Sequence, residues 1–485
     1  MDYIKSAKMK GCAEDVKFGT GGWRAVIGDE FNRNNIRLLA KALSMKMKAE
    51  GVEGDGIVIG YDRRFLSKEA VKWACEVFAA EKIKVFFVNR SSPTPLVMFY
   101  VEKHQMHYGL MVTASHNPAT YNGFKVFTYG GRDANEEQTK DIERYLKEAE
   151  KLSEISYVDY EVALREGLVC EFNPINEYLD NIIEAINMKA IRDAGLHIVL
   201  DPMYGVSQTS LKVILSTARC ELDIIHGIHD TLFGRRMPAP DKKSLTELRT
   251  YVTEMNCDLG IATDGDADRL GVIDDQGNYL TANDILRLLY YYLLKYKGMR
   301  GPAVRNIATT QMLDRMAEEF GEICYEVPVG FKHISSRMME TDAVIGGESS
   351  GGLTVKGHIN GKDGIYAASL LVEMIAVTGK KLSELTREIE EQFGKMFMAE
   401  NSYRFASDRK EDLKKCLFED KALPVFEKPI KRISYMDGCK VYFEDGTWII
   451  ARFSGTEPLL RIFCEMESEE LAESYCEDFK AFLEL

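Results

Sequence analysis

Short apolar runs alternate with amphipathic stretches along most of this chain. Gly56-Ile-Val-Ile-Gly-Tyr-Asp62, Lys84-Val-Phe-Phe-Val88 and Tyr108-Gly-Leu-Met-Val112 read as buried strands. Between them, residues 31–50 place Ile36, Leu39, Leu43 and Met47 at helical spacing, and Lys68 to Ala80 reads as a second helix. Strands alternating with helices predict a parallel sheet with helices on its faces. The pattern returns at His197-Ile-Val-Leu-Asp-Pro202 and Leu259–Thr263, and once more at Ala343–Gly347. The charged stretch Glu136–Leu164 is expected to be helical, as is Ile307–Gly321. After a polar link expected to be irregular, Met396–Glu411, the pattern changes. Lys440-Val-Tyr-Phe443 and Trp448-Ile-Ile-Ala451 flank Asp445-Gly446, a hairpin signature. A terminal helix from Glu469 buries Leu471, Tyr475, Phe479 and Leu483. The expected fold class is α/β: three similar α/β domains with mixed or parallel sheets, plus a smaller C-terminal α+β domain. The expected boundaries are 1–165, 166–300, 301–398 and 399–485.

The polar residues between these runs change the picture from fold to chemistry. Tyr108–Val112 delivers Thr113-Ala-Ser-His-Asn-Pro118, and Pro118 forces a turn. Ligands bind at such strand ends in open α/β sheets. Ser115 is the candidate nucleophile, on a loop expected to be exposed, with His116 and Asn117 placed to orient or polarise it. Leu259–Thr263 delivers Asp264-Gly-Asp-Ala-Asp268-Arg269. Three carboxylates at alternate positions repel one another unless a cation joins them, and an all-oxygen set suits Mg²⁺, Mn²⁺ or Ca²⁺. An EF-hand does not fit, since its sixth and twelfth positions would be Arg269 and Asp275. Ala343–Gly347 delivers Glu348-Ser-Ser-Gly-Gly352, and Val327-Pro-Val-Gly-Phe-Lys332 puts Lys332 on an expected turn. Arg452-Phe-Ser-Gly-Thr-Glu-Pro458, with Arg461 beyond it, mixes charge with hydroxyl and backbone donors, as a phosphate cradle requires.

Composition narrows the classes. A chain of 485 residues is too long for one core. Its 45% hydrophobic and 28% charged residues are those of an ordinary globular protein. A net charge of −14 argues against broad nucleic-acid binding, and it means that any phosphate site must be locally basic. The ten cysteines are scattered without a Cys-x-x-Cys pair, which reads as reduced thiols in a cytoplasmic protein. The most apolar helix candidate, Ile285–Leu294, is interrupted by Arg287, so no membrane partner is expected, and Met1-Asp-Tyr-Ile-Lys lacks the plan of a signal peptide.

The loop Thr113–Pro118 resembles, residue for residue, the active-serine loop of the α-D-phosphohexomutases, the phosphoglucomutase/phosphomannomutase family. Phe18-Gly-Thr-Gly-Gly-Trp-Arg24, Asp264–Arg269, Glu348–Gly352 and Arg452–Pro458 resemble further loops of that family, in its order. The resemblance implies four domains around a central cleft and a phosphoryl group on Ser115. It implies Lys125 as general acid/base and Arg24 as a substrate contact. Asp264, Asp266 and Asp268 would hold one Mg²⁺ together with an oxygen on Ser115. Glu348 and Ser350 would contact sugar hydroxyls. Arg452, Ser454, Gly455, Thr456 and Arg461 would bind the non-reacting phosphate. His358 and Lys362 follow as acid/base or phosphate-contact groups, and Lys332 as a substrate contact. Where some relatives carry a histidine this chain has Gly352, followed by Lys356-Gly-His-Ile-Asn-Gly-Lys-Asp-Gly364, an arrangement more similar to phosphoglucomutase-type members. The implied reaction interconverts hexose 1- and 6-phosphates, glucose foremost, through a bound hexose 1,6-bisphosphate, in a monomer or homodimer. A phosphomannomutase, alone or combined with phosphoglucomutase activity, is the alternative. The aspartate-nucleophile phosphatases usually want Thr or Val where Asp268 stands, and a binding-only relative would lack the nucleophile or metal ligands.

Overall fold

The structure is a computed structural model that describes residues 3–19, 21–454 and 458–485; Gly455 and Thr456 therefore lie outside the described residues. The chain divides into two compact units, one of residues 1–285 with 350–383, the other of residues 286–349 with 384–485.

The first unit holds two large sheets and a two-stranded one. In the larger, Val169–Phe172, Val85–Val88, Ile57–Tyr61 and Tyr108–Val112 run parallel, in that order. Tyr121–Thr128, Gly22–Val26 and Phe18–Gly19 continue it antiparallel. Every residue of Ile57–Tyr61 and Tyr108–Val112 is buried, as expected of central strands covered on both faces. Helix Arg33–Glu50 begins where the Asn32 side chain accepts from the Asn35 N–H and ends at Gly51 in the left-handed conformation. It buries Ile36, Leu39, Leu43 and Met47, each contributing about 1.5–3 kcal/mol of transfer free energy. The second sheet orders Glu221–Ile224, His197–Asp201 and Leu259–Thr263 in parallel, then Leu270–Ile273 and Tyr279–Leu280 antiparallel. Helix Gly364–Thr378 packs on Met188–Ala194 and Gln208–Thr217.

In the second unit, Cys324–Val327, Ala303–Asn306 and Ile345–Gly347 are parallel. A five-stranded antiparallel sheet follows, ordered Phe397–Arg404, Leu459–Met466, Trp448–Phe453, Cys439–Phe443, Ile430–Ser434, with helix Glu469–Phe482 packed on it. This is the expected class: α/β sheets followed by an α+β portion.

Four local expectations need correction. Glu136–Leu164 is not one helix: Glu136–Glu150 ends at a turn, Glu154–Val158 pairs antiparallel with Ile4–Lys8, and only Tyr160–Arg165 is helical again. Ile307–Gly321 is helical only at Met312–Glu319, because the Asn306 carboxamide accepts from the Ala308 N–H and the Thr309 hydroxyl and holds a turn first. The link expected to be irregular contains strand Phe397–Arg404, paired along its whole length with Leu459–Met466. Lys332 lies in the first turn of helix Phe331–Thr341 rather than on a turn.

Candidate active site

Ser115 sits one turn beyond Tyr108–Val112 and the carboxylates one turn beyond Leu259–Thr263, so two parallel-strand ends of the first unit carry the site. Contrary to expectation the serine is buried, 1% exposed. Its backbone is left-handed, with φ of 51°, a conformation costing a non-glycine residue about 1–3 kcal/mol. The Ser115 Oγ donates to Asp264 Oδ2 at 2.8 Å and lies 3.4 Å from His116 Nδ1. Gly265 allows this approach: a Cβ there would stand 2.9 Å from the Ser115 carbonyl oxygen.

Asp264, Asp266 and Asp268 are all buried, with ligand atoms within 4.8 Å of one another. Asp264 Oδ1 accepts the N–H groups of Asp268 and Arg269 at 3.1 and 3.0 Å. Asp266 Oδ2 accepts from Thr94 Oγ1 at 2.5 Å, at the start of helix Thr94–Lys103, where the helix dipole favours a carboxylate. Lys125, on Tyr121–Thr128, donates to Asp266 at 2.7 Å and to Asp268 at 2.6 Å, and Lys362 stands 3.1 Å from Asp268. Burial and the neighbouring Asp266 and Asp268 push Asp264 well above the usual carboxylate range. Burial also pushes Asp268 upward, but Lys125, Lys362 and Arg269 override it and hold Asp268 below that range. Burial would strip the Lys125 proton, but Asp266 and Asp268 more than offset it and keep the lysine charged. His116 is driven down to about 2 by burial and by the cations Arg269 and Arg24, so it is a neutral imidazole.

The donor set fits a hard divalent cation. Asp266 Oδ1 and Asp268 Oδ1 are buried without a hydrogen-bond partner, an expensive arrangement unless something else binds them. With Ser115 Oγ beside Asp264, these are the oxygens a Mg²⁺-sized ion would take.

The remaining candidates are placed as follows. Arg24, opposite Gly123 in the larger sheet, donates to the Asn117 side chain at 2.7 Å, which sets it beside the serine loop. Ser350 is exposed on a turn. His358 is not brought to the serine: its side chain is fully buried, Nε2 lies 2.7 Å from Asp363 and Nδ1 2.8 Å from Asn181. Both ring nitrogens are thus occupied, and the expected acid/base role does not fit this geometry. Asp363 in turn caps helix Gly364–Thr378. In the second unit, Glu348 is 7% exposed and accepts from Asn306 at 3.3 Å. Arg452 and Arg461 stand directly opposite each other on adjacent strands. Like charges in that register are unfavourable unless an anion offsets them; Asp437 lies 2.9 Å from Arg452 and Glu400 3.8 Å from Arg461. The Ser454 N–H donates to the Leu459 carbonyl at 2.8 Å.

Sequence reasoning missed Thr94, which holds Asp266, and the pair Asp62 and Arg64. The missed signal was the charged triplet Asp62-Arg-Arg64 at the end of an apolar strand, the very pattern that singles out Ser115.

Comparison with known proteins decides the family. Models of phosphoglucomutase/phosphomannomutase α/β/α domains I, II and III match residues 15–153, 176–277 and 281–393, and the model of the C-terminal domain matches 411–482. The chain belongs to the phosphoglucomutase/phosphomannomutase family. Its members are mutase isomerases. A phosphoglucomutase/phosphomannomutase of Thermococcus kodakarensis is 29% identical over 95% of this chain and 96% of its own length. A phosphoglucosamine/phosphogalactosamine mutase of Sulfurisphaera tokodaii is 28% identical over 96% of this chain and 99% of its own. The open form of the Paramecium phosphoglucomutase parafusin shares the fold, with a TM-score of 0.84 at 22% identity, covering 99% of this chain and 96% of that one.

Proposed function

We propose that this phosphohexomutase interconverts hexose 1-phosphate and hexose 6-phosphate, with glucose phosphates as the first candidates, through a phosphorylated Ser115 and a bound hexose 1,6-bisphosphate. The observation that carries the reading is a buried serine hydroxyl 2.8 Å from one member of a three-carboxylate set that has two unpartnered oxygens. A phosphatase would need no second phosphate site, whereas the opposed Arg452 and Arg461 suit one.

In the proposed reaction the P–Oγ bond of phosphorylated Ser115 breaks as a sugar hydroxyl oxygen bonds to phosphorus. When bound at Asp264, Asp266 and Asp268, Mg²⁺ supplies neutralisation of charge on the transferring group. Lys125 is the acid/base. Held charged between Asp266 and Asp268, the lysine gives its proton to the departing Ser115 oxygen and takes the sugar hydroxyl proton in exchange, and the same exchange runs in reverse in the second half-reaction. His116, neutral, orients the Ser115 oxygen without adding charge. Arg24 and Lys362 add positive charge beside the serine and Asp268. Lys332, Glu348 and Ser350 bind the substrate, the last two through sugar hydroxyls. Arg452, Ser454, Gly455, Thr456 and Arg461 hold the phosphate that is not reacting. The proposed domains are 1–165 with the serine loop, 166–300 with the carboxylate loop, 301–398 with the sugar-contact loop and 399–485 with the phosphate loop.

The relatives' names favour a second reading, a mutase of mannose or glucosamine phosphates. One experiment tests both: each sugar 1-phosphate is incubated with enzyme and Mg²⁺ while the 6-phosphate and free phosphate are followed. Mutase action gives the 6-phosphate with no phosphate release, and kcat/KM ranks the sugars. Release of free phosphate alone would overturn the proposal.

A further inference from the structure

Arg64 touches neither the serine hydroxyl nor the carboxylates, yet its side chain is fully buried and spent on the serine loop. Nη2 donates to the carbonyls of Ser115 and Asn117, both at 2.6 Å. Nη1 donates to the carbonyls of Pro118 and Tyr121 at 2.8 and 2.9 Å. One guanidinium therefore gathers four main-chain oxygens from a stretch of seven residues, and Phe233 lies under it with 4.9 Å to the ring centroid. Asp62 fixes the same loop from the other side. Its Oδ1 accepts the Arg64 N–H and the Ser67 hydroxyl, both at 2.9 Å. Its Oδ2 lies 3.3 Å from Arg64 Nε and accepts the Thr113 hydroxyl at 2.7 Å. The Thr113 oxygen in turn accepts the Ser115 N–H at 2.8 Å.

The clamp acts where the backbone is least able to hold itself. Ser115 is left-handed, and an unconstrained serine would leave that conformation. Phosphoryl transfer needs the attacking oxygen, phosphorus and leaving oxygen roughly in line, and an error of 1 Å costs on the order of 100-fold in rate. Lysine at position 64 would keep the charge but could not bridge four carbonyls, since it lacks the planar fork.

We propose that Arg64, braced by Asp62, is the positioning residue of the serine loop: it holds Ser115 in its left-handed turn so that the hydroxyl, and the phosphate it carries, faces Asp264. The proposal rests on the reading of Ser115 as the phosphoryl carrier. The tests are Arg64→Lys and the near-isosteric Thr113→Val, which cuts the Asp62-to-Ser115 link and spares the arginine. Steady-state kinetics, the ³¹P resonance of the phosphoserine and thermal unfolding are measured beside wild type. In Arg64→Lys kcat falls by about 100-fold while KM stays within about threefold, and the phosphoserine resonance shifts and broadens. In Thr113→Val kcat falls by about tenfold with the same split. A folded Arg64→Lys with kcat within threefold of wild type overturns the proposal, as does a rise in KM alone. If Arg64→Lys does not fold, Thr113→Val decides by the same criterion. Wild type that turns over without a phosphoserine at position 115 overturns the underlying reading instead, a result visible before any variant is made.

Discussion

Each unit contains a buried cluster of charges, and the two differ in what they leave unfinished. In the second unit Arg305 donates to both oxygens of Asp314, at 2.6 and 3.0 Å, and to Glu326 at 2.6 Å. Lys440 donates to Glu326 at 3.0 Å and to the Ile307 carbonyl at 2.5 Å, with its Nζ 3.8 Å from the centre of the Trp448 ring. The Tyr442 hydroxyl completes Glu326, and Trp448 Nε1 donates to Glu465 at 2.7 Å. Among these side chains no buried polar atom lacks a partner, and none of the residues has positive φ. The Ser115 cluster is the reverse. Two of its carboxylate oxygens are unpartnered, and Ser115 and Ala267 are both left-handed. Completed networks join elements of a fold; orphaned oxygens and strained backbone mark a place kept ready for a ligand.

The largest effect should come from Ser115→Ala. Mutase activity is expected to fall by at least about 10⁴-fold, since the phosphoryl carrier is lost, while the melting temperature moves little. Intact-protein mass should show one phosphate on wild type and none on the variant. Residual activity near wild type would break the comparison at its centre. Asp266→Asn comes next. Removing one ligand should lower activity by about 100-fold, recovered in part at high Mg²⁺. It also removes a like-charged neighbour from Asp264 and Asp268, so stability in the absence of metal should change little; activity unaffected by EDTA in wild type would sink this prediction.

The serine side of this contrast was legible in the sequence, for a physical reason; the Arg305 cluster was not. A buried strand must be apolar throughout, so polar residues at the end of Tyr108–Val112 or Leu259–Thr263 stand out. What escaped depends on partners distant in sequence. Strands Glu154–Val158 and Phe397–Arg404 are polar on their open face and exist because Ile4–Lys8 and Leu459–Met466 pair with them. His358 lies in a motif-like setting, but contact with Asn181, 177 positions away, makes it a brace rather than a proton carrier. The role of Arg64 emerges only when four carbonyls of the folded loop converge on it.

Glu326→Gln tests the other side of the comparison. It leaves Arg305 and Lys440 sharing a neutral amide in a buried place, so unfolding free energy should fall by about 3–5 kcal/mol in a urea titration. The kcat of the folded fraction should stay within about threefold of wild type. A large loss of kcat without loss of stability would mean that this cluster, too, is functional.

The smallest effect sharpens the same point through pH. Lys440 shares Glu326 with Arg305, which already holds that carboxylate; burial and then Arg305 lower the lysine to about 7, against which Glu326 and Glu465 pull only in part. Its ordinary value is 10.5, so between these two pH values the unfolded chain binds more protons than the folded one. Stability contributed by Lys440 therefore rises with pH across that window and is lost as pH falls toward 7. Lys440→Met removes the titrating group while filling the space against Trp448. From pH 7 to 9.5 wild type should gain on the order of 2 kcal/mol relative to the variant, read as the change in the difference between their urea midpoints multiplied by m. Other lysines titrate alike in both proteins and cancel. Parallel pH profiles would mean that Lys440 stays charged against Glu326 throughout, and that the completed network holds its ions as firmly as the serine site holds Lys125.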